Sequence, residues 1–128
     1  MSSSYATCTK EKTISYEQRL FIKRSLRQLG LNAKMEGFSY LQKSIIYAYK
    51  QDLIVINYQH ICNHISQNST QSAKTIDNVI RYSINNLNTK KLSTNYELIF
   101  GIEFSYSDFN IASLISDFKD ILEEMESI

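Results

Sequence analysis

The chain has 128 residues, of which 43% are apolar, 12% aromatic and 21% charged, and this composition is typical of one globular domain whose core needs no metal or disulfide. It has no proline, only three glycines and no apolar run near the roughly 20 residues that cross a bilayer, which disfavours collagen-like, disordered and membrane-spanning chains. The net charge of +1 conceals thirteen Lys and Arg against five Asp and Glu in residues 1–91, and one Lys against eight acids afterwards. This asymmetry is typical of a face that binds a polyanion, although two ordinary solvated surfaces explain it equally well.

The N-terminal region predicts a tail followed by a helix. Residues 1–13 are polar and without periodicity, so we expect a flexible tail and then one domain over residues 14–128. Ser15 and Gln18 have the spacing of a capping box and predict a helix over residues 15–29. A cationic stripe runs beside the apolar face of this helix, and a solvated face is its more frequent explanation: Arg19, Lys23 and Arg27.

The middle of the chain predicts three further helices. The first fits residues 38–50. Residues 52–57 (DLIVIN) contain a β-branched run that suits a buried strand as well as the start of a helix, and we favour the helix. A third helix is therefore predicted over about residues 53–61 and a fourth over about 63–68, with the polar run SQNSTQS (66–72) as the turn.

The clearest helix is predicted over residues 73–88, with Ser72 as its N-cap. Its apolar side consists of residues at spacings of three and four: Ile76, Val79, Ile80, Ser83, Ile84 and Leu87. Its other side is polar: Lys74, Asn78, Arg81, Tyr82 and Asn85. A short helix, a polar turn and such an amphipathic helix form the pattern of a helix-turn-helix, in which the second helix enters the major groove of DNA.

The C-terminal part predicts a short helix near residues 95–100 and then GIEFSYS (101–107), which alternates like a brief strand or an extended loop. A last amphipathic helix follows from Ile111 to Met125, with Ser107 or Asn110 near its start. Its acidic side chains are interpreted as a solvated face. We therefore predict an all-α fold, a compact bundle of about six helices that contains a helix-turn-helix.

Catalytic and metal-binding signals are weak. The sequence has no glycine-rich phosphate loop, no GxSxG and no HExxH, so no enzymatic activity is expected. Cys8 and Cys62 lack CxxC spacing and are expected to be free thiols. His60 and His64 could chelate a metal from one helical turn, but Cys62 between them points elsewhere and no third ligand follows at a suitable spacing. We predict no metal site and no cofactor, and, since the polar N-terminus lacks the apolar stretch of a signal peptide, a cytoplasmic protein.

The polar side of the helix over residues 73–88 has side chains that suit DNA. Asn78 and Asn85 can donate to and accept from adenine edges, and Arg81 can reach guanine or phosphate. Lys74, near the helix N-terminus, can pair with phosphate beside free backbone N–H groups. Because most amphipathic helices have polar outer faces, this pattern alone does not decide between DNA binding and a wetted surface.

Three blocks carry a resemblance that is more specific: GLNAKMEGFSYLQKSIIYAY (30–49), TIDNVIRYSI (75–84) and IFG (99–101). The first resembles a Gly-Val-Pro-Ala-x-x-x-Gly-Tyr-x-Tyr-Leu-x-x-Ala-Ile stretch, and the second a recognition-helix segment. Both belong to the C-terminal DNA-binding effector domain of the sporulation initiation response regulator of endospore-forming bacteria. The resemblance spans roughly residues 15–122 and implies an all-helical domain that reads DNA with a helix-turn-helix.

The sequence also departs from that family. The family's two base-reading arginines correspond to Thr75 and Asn78, its glutamate to Asp77 and its histidine to Tyr82, whereas Arg81 keeps its type. We therefore expect a different DNA sequence to be read. A phosphorylatable receiver domain is absent from this chain, so phosphorylation control by that route is not expected.

These observations predict a sequence-specific DNA-binding protein, a small stand-alone transcription regulator related to sporulation control. Its partner is double-stranded DNA, and both a homodimer on DNA and a further protein partner are compatible with it. The predicted DNA-binding residues are Ser72, Lys74, Thr75, Asn78, Arg81, Tyr82, Asn85, Lys90 and Lys91, of which the last two are placed on phosphate just past the recognition helix. The alternative is a non-catalytic protein-interaction module that kept the fold and binds another regulator.

Overall fold

The computed structural model describes residues 11–126, in which the chain forms six α-helices and no strand. The helices are α1 (Tyr16–Leu29), α2 (Glu36–Lys50), α3 (Tyr58–Gln67), α4 (Ala73–Asn85), α5 (Thr89–Phe100) and α6 (Ile111–Glu126). Helix α2 is central, because it packs against α1, α3, α4 and α6. The predicted all-α bundle is therefore confirmed, and residues 101–107 form a loop rather than a strand.

Helix boundaries follow capping signals in the sequence. The Ser15 N–H donates to Gln18 Oε1 at 2.8 Å and the Gln18 N–H donates to Ser15 Oγ at 3.0 Å, which is the predicted capping box. At the other end of α1, Gly30 adopts φ +113°, a left-handed conformation that favours glycine. At the start of each helix from α3 to α6, a side-chain oxygen accepts a hydrogen bond from a first-turn backbone N–H group. The four capping residues are Asn57, Ser72, Asn88 and Asn110.

The prediction of two helices between residues 53 and 68 is wrong, because the structure has one helix there. Asp52 adopts φ +51° after the end of α2, and the segment after it is not helical. Within this segment Ile54 and Val55 are 94% and 78% exposed, so no packing offsets the poor helix propensity of their β-branched side chains. Helix α3 begins where the Asn57 side chain accepts the first N–H group, and it then continues without a break.

The helix predicted over residues 73–88 is α4, and it ends earlier, at Asn85. The short helix predicted near residues 95–100 is the second half of α5. The difference arises in the asparagine-rich segment 85–88, since asparagine side chains compete with the helix for backbone groups. Asn86 Nδ2 donates to the Tyr82 carbonyl oxygen at 2.7 Å. The polar segment that starts α5 has little apolar periodicity, which is why the sequence predicted only the end of this helix.

The N-terminal segment is described from residue 11 onward. Residues 1–10 of the predicted tail, with Cys8, lie outside the described residues. The Lys12 N–H donates to the Lys50 carbonyl oxygen at 2.8 Å, and Ile14 is buried in the core. These contacts attach the segment just before α1 to the end of α2, while the boundary of the flexible tail stays a prediction.

An ion-pair network joins this segment to α6. Lys12 Nζ lies 3.5 Å from Asp52 Oδ1 and 3.0 Å from Glu126 Oε2, and Lys119 Nζ lies 3.3 Å from Asp52 Oδ1 and 2.9 Å from Glu123 Oε2. Lys119 and then Lys12 hold the pKa of Asp52 below its usual value. A lowered carboxyl pKa favours folding at neutral pH, and this contribution is lost as the pH falls through the folded-state pKa. The acidic side chains of the last helix lie on a solvated face, as predicted, and on that face Glu123 and Glu126 pair with lysines.

Helices α2 and α4 approach each other closely at Gly37. A Cβ atom added there would overlap Ser83 Oγ and lie 2.7 Å from Ser83 Cβ and 3.2 Å from the Val79 carbonyl oxygen. No side chain fits between two helices at that separation. Gly37 thus holds the N-terminal end of α2 directly against α4.

Gly37→Ala should lower the free energy of unfolding by about 1–2 kcal/mol. Overpacking of a tight contact costs about 1–3 kcal/mol, and the better helix propensity of alanine returns up to about 1 kcal/mol. Denaturant unfolding measures the difference. The same substitution in a Ser83→Gly background should cost less, because the Ser83 side chain that it would overlap is gone and only the Val79 carbonyl oxygen, at 3.2 Å, remains. An equal cost in both backgrounds would contradict the close approach.

Candidate nucleic-acid interface

Helices α3 and α4 and the turn between them form the predicted helix-turn-helix. The two helices pack against each other, and residues 68–72 connect them. Hydrogen bonds order this turn: Ser66 Oγ donates to the Gln71 carbonyl oxygen at 2.8 Å, and the Gln71 N–H donates to Ser69 Oγ at 3.1 Å. The turn therefore fixes the direction in which α4 leaves α3.

Helix α4 is divided lengthwise into a buried and an exposed side. Ile76, Ile80 and Ser83 are buried, as the periodicity predicted. Four exposed residues fall within about 60° of arc at 100° per residue, and we call this set the α4 stripe: Lys74, Asn78, Arg81 and Asn85. Because none of them is needed for the core, their side chains are available to a partner.

Two asparagines provide the unpaired amides of the α4 stripe. Within residues 11–126, neither the Asn78 nor the Asn85 side chain makes a hydrogen bond. Each exposed amide therefore presents two N–H donors and one carbonyl acceptor to solvent. Such a group can pair with the edge of a base, which offers a donor and an acceptor side by side.

Arg81 is held by two neighbours. Its Nε donates to Asp77 Oδ1 at 2.7 Å, one helical turn earlier, and its Cζ lies 5.6 Å from the centre of the Tyr58 ring of α3. The side chain nevertheless remains half-exposed. Asp77 and Tyr58 restrict the guanidinium to one region, while its Nη groups have no hydrogen-bond partner within the described part of the chain.

The other predicted DNA-binding residues have different positions. Ser72 and Thr75 belong to the cap of α4, since the Thr75 N–H donates to Ser72 Oγ at 3.1 Å and the two hydroxyls are 3.0 Å apart. Tyr82 is 62% exposed beside the α4 stripe. Lys90 and Lys91 are exposed, but they lie in the first turn of α5 rather than in a segment just past the recognition helix, which corrects their predicted setting.

The structure adds residues at both edges of the α4 stripe. On one side a groove of about 400 Å³ is lined by Met35 and Glu36 together with Asn78 and Tyr82. On the other side a cleft of about 200 Å³ brings the loop before α6 beside α4: Tyr106 and Asn110 line it with Arg81 and Asn85. The sequence pattern did not predict these neighbours. Gly37, which allows α2 to approach α4 closely, was a signal for the groove at Met35 and Glu36. No local pattern indicated the cleft at Tyr106 and Asn110.

The two histidines both contact Tyr47. His60 Nε2 lies 3.0 Å from Tyr47 Oη, and the His64 ring stacks on the Tyr47 ring with 3.8 Å between centroids. Within residues 11–126 no group of three His, Cys, Asp or Glu side chains is arranged to hold a metal ion. Cys62 is a buried free thiol, and its burial raises its pKa. No helix in this range combines the length and apolarity that crossing a bilayer requires.

Comparison with known proteins identifies a family that this chain matches. The family described as sporulation initiation factor Spo0A C terminal matches residues 22–116, which is about three quarters of the chain and includes every predicted DNA-binding residue. No curated protein and no solved structure is significantly similar to this chain. The matched family is one of helical DNA-binding regulatory domains and not a catalytic one. By this match and by its six-helix fold with a helix-turn-helix, the chain belongs to the Spo0A C-terminal domain family.

Proposed function

We propose that this chain is a sequence-specific transcription regulator that inserts α4 into the major groove of double-stranded DNA and acts in sporulation control. The observation that carries the proposal is the α4 stripe, an exposed row of hydrogen-bonding side chains on the second helix of a helix-turn-helix. Membership in a family of DNA-binding domains supports it. The proposed role is non-catalytic, and its proposed place is the cytoplasm.

Base recognition is assigned to Asn78 and Arg81. The free amide of Asn78 suits the N6 and N7 atoms of adenine, and the Nη groups of Arg81 suit the O6 and N7 atoms of guanine. Asp77 acts as a positioning residue, because its carboxylate occupies Arg81 Nε and restricts the guanidinium. Asn85 extends the same row by two helical turns from Asn78 and would read or position the flanking base pair.

Phosphate contacts are assigned to lysines near helix N-termini. Lys74 lies in the first turn of α4, and Lys90 and Lys91 lie in the first turn of α5, where no acidic residue accompanies them. Cations at a helix N-terminus oppose the positive end of the helix dipole. A phosphate oxygen there would accept from both the lysines and the free backbone N–H groups, so it would offset this unfavourable placement.

The double variant Lys90→Ala/Lys91→Ala should weaken binding to all duplex sequences about equally and reduce the slope of log K against log salt by about two. Selection of bound sequences from a random duplex library, followed by titration at several salt concentrations, measures both effects. Lys23→Ala/Arg24→Ala is the matched control, since it removes the same charge from exposed positions of α1 outside the interface.

Two outcomes would contradict this assignment. One is a Lys90/Lys91 variant that keeps the overall affinity and changes the sequence preference, which would make these lysines base-reading. The other is an equal loss in the α1 control, which would make the effect one of net charge. The number of half-sites in the selected sequences also reports whether one copy or a homodimer binds, because two copies need two half-sites.

A further inference from the structure

A cationic pocket lies between α1, α2 and α3. Its volume is about 380 Å³, which is within the range of cavities that hold small molecules. Arg19 of α1 and Lys43 and Lys50 of α2 line it, and among the described lining residues Glu11 is the one carboxylate. The pocket is therefore a concave site with an excess of positive charge.

Two of the three cations have no carboxylate partner among the residues that the structure describes. Within residues 11–126 no carboxylate lies within 4.0 Å of the charged groups of Arg19 or Lys43. Lys50 Nζ lies 3.6 Å from Glu11 Oε1, and the other oxygen of Glu11 accepts from Gln51 Nε2 at 2.8 Å. Like charges gathered in a concavity repel one another, and a bound anion would relieve this repulsion.

One wall of the pocket is aromatic. Tyr47 and His64 stack with 3.8 Å between ring centroids and 20° between ring planes, and the hydrogen bond between Tyr47 Oη and His60 Nε2 fixes the orientation of the stack. Ile46 and Ile65 add apolar surface. The pocket thus offers aromatic and apolar surface beside side chains that bind anions.

Helix α3 separates this pocket from α4. His60 and His64 lie on the side of α3 that contacts Tyr47, whereas Tyr58 lies two positions before His60, about 200° around the helix, and its ring faces Arg81 of α4. An occupant of the pocket would therefore not compete directly with DNA at the α4 stripe.

We propose that this pocket binds a small phosphorylated ligand with a planar ring, of the nucleoside diphosphate class. Arg19 and Lys43 would donate to the phosphate oxygens through charge-assisted hydrogen bonds, and the Tyr47–His64 wall would contact the ring. The site is separate from the proposed DNA interface, so a metabolite bound there would leave the α4 stripe accessible.

Calorimetric titration of the full chain with ADP, pyrophosphate and adenosine tests the proposal. ADP should bind more tightly than pyrophosphate, which lacks the ring, and than adenosine, which lacks the phosphates. Arg19→Gln/Lys43→Gln should weaken ADP binding about tenfold or more, since it removes charge-assisted contacts. Arg24→Gln/Lys34→Gln removes the same charge at exposed positions outside the pocket and should leave ADP affinity unchanged. All these residues are exposed, and equal thermal midpoints of the variants establish that each is folded.

Absence of ADP binding, or an equal loss in the two double variants, would overturn the proposal. A parallel titration with a duplex from the selected library distinguishes a second source of phosphate. If Arg19→Gln/Lys43→Gln weakens duplex binding while ADP does not bind, the pocket contacts the DNA backbone and the small-ligand proposal is wrong. Asn78→Ala should leave ADP affinity unchanged whether or not it affects DNA, so the two proposals fail separately.

Discussion

Ile80→Ala is expected to lower the free energy of unfolding by about 2–5 kcal/mol, because it leaves a cavity in the core where the neighbours relax only partly. The Ile80 side chain is fully buried on the side of α4 that packs into the bundle. Ile80→Val removes one methylene group and should cost only about 0.5–1.5 kcal/mol. Denaturant titration of the three proteins gives the comparison.

Asn85→Ala is the matched control for this series, since Asn85 lies on the same helix and is exposed. It should change the free energy of unfolding by no more than about 0.5 kcal/mol, as surface substitutions usually do. An Ile80→Ala protein as stable as the Asn85→Ala protein would contradict the orientation of α4, and with it the position of the α4 stripe.

Local signals in the sequence predicted most of the fold. The Ser15 capping box and the Ser72 cap are short-range patterns with defined geometry, and both are present. The spacing of Ile76, Ile80 and Ser83 predicted the buried side of α4 in the same way. The exposed side of α4 followed from it, because a residue that does not face the core of a surface helix faces solvent.

The errors lie where local patterns conflict with tertiary packing. The apolar run of residues 53–56 suggested a buried element, yet Ile54 and Val55 are exposed and the segment is a loop. The start of α5 carried no periodicity, so Lys90 and Lys91 were placed after a helix instead of at the beginning of one. The neighbours of the α4 stripe at Met35 and Tyr106 are brought there by the packing of distant segments, which no short-range pattern encodes.

The departures from the family pattern acquire a physical meaning on α4. Thr75, which stands where the family has a base-reading arginine, takes part in the cap with Ser72. Asn78, at the second such position, carries a short neutral amide that reaches less far than an arginine and prefers adenine over guanine. Arg81 keeps the arginine of the family pattern, and its Nε donates a hydrogen bond to Asp77. We therefore propose that the same helix reads a different DNA sequence.

Asn78→Ala should remove sequence discrimination without removing the fold. The Asn78 side chain is exposed and makes no intramolecular hydrogen bond within the described residues, so the free energy of unfolding should change by no more than about 0.5 kcal/mol. If its amide pairs with one adenine, the loss of that pair should cost about 1–3 kcal/mol of discrimination at one base pair. Arg81→Ala should affect a different, neighbouring base pair, because Arg81 lies almost one helical turn further along α4.

Competition titration of a selected duplex, with each base pair replaced in turn, tests the central claim that α4 reads DNA. We predict that Asn78→Ala binds all replacements at one position with similar affinity while it keeps the wild-type preferences elsewhere, and that Arg81→Ala does so at another position. Wild-type preferences at every position in both variants would contradict the claim, and the protein-interaction module would then be the better account of this fold.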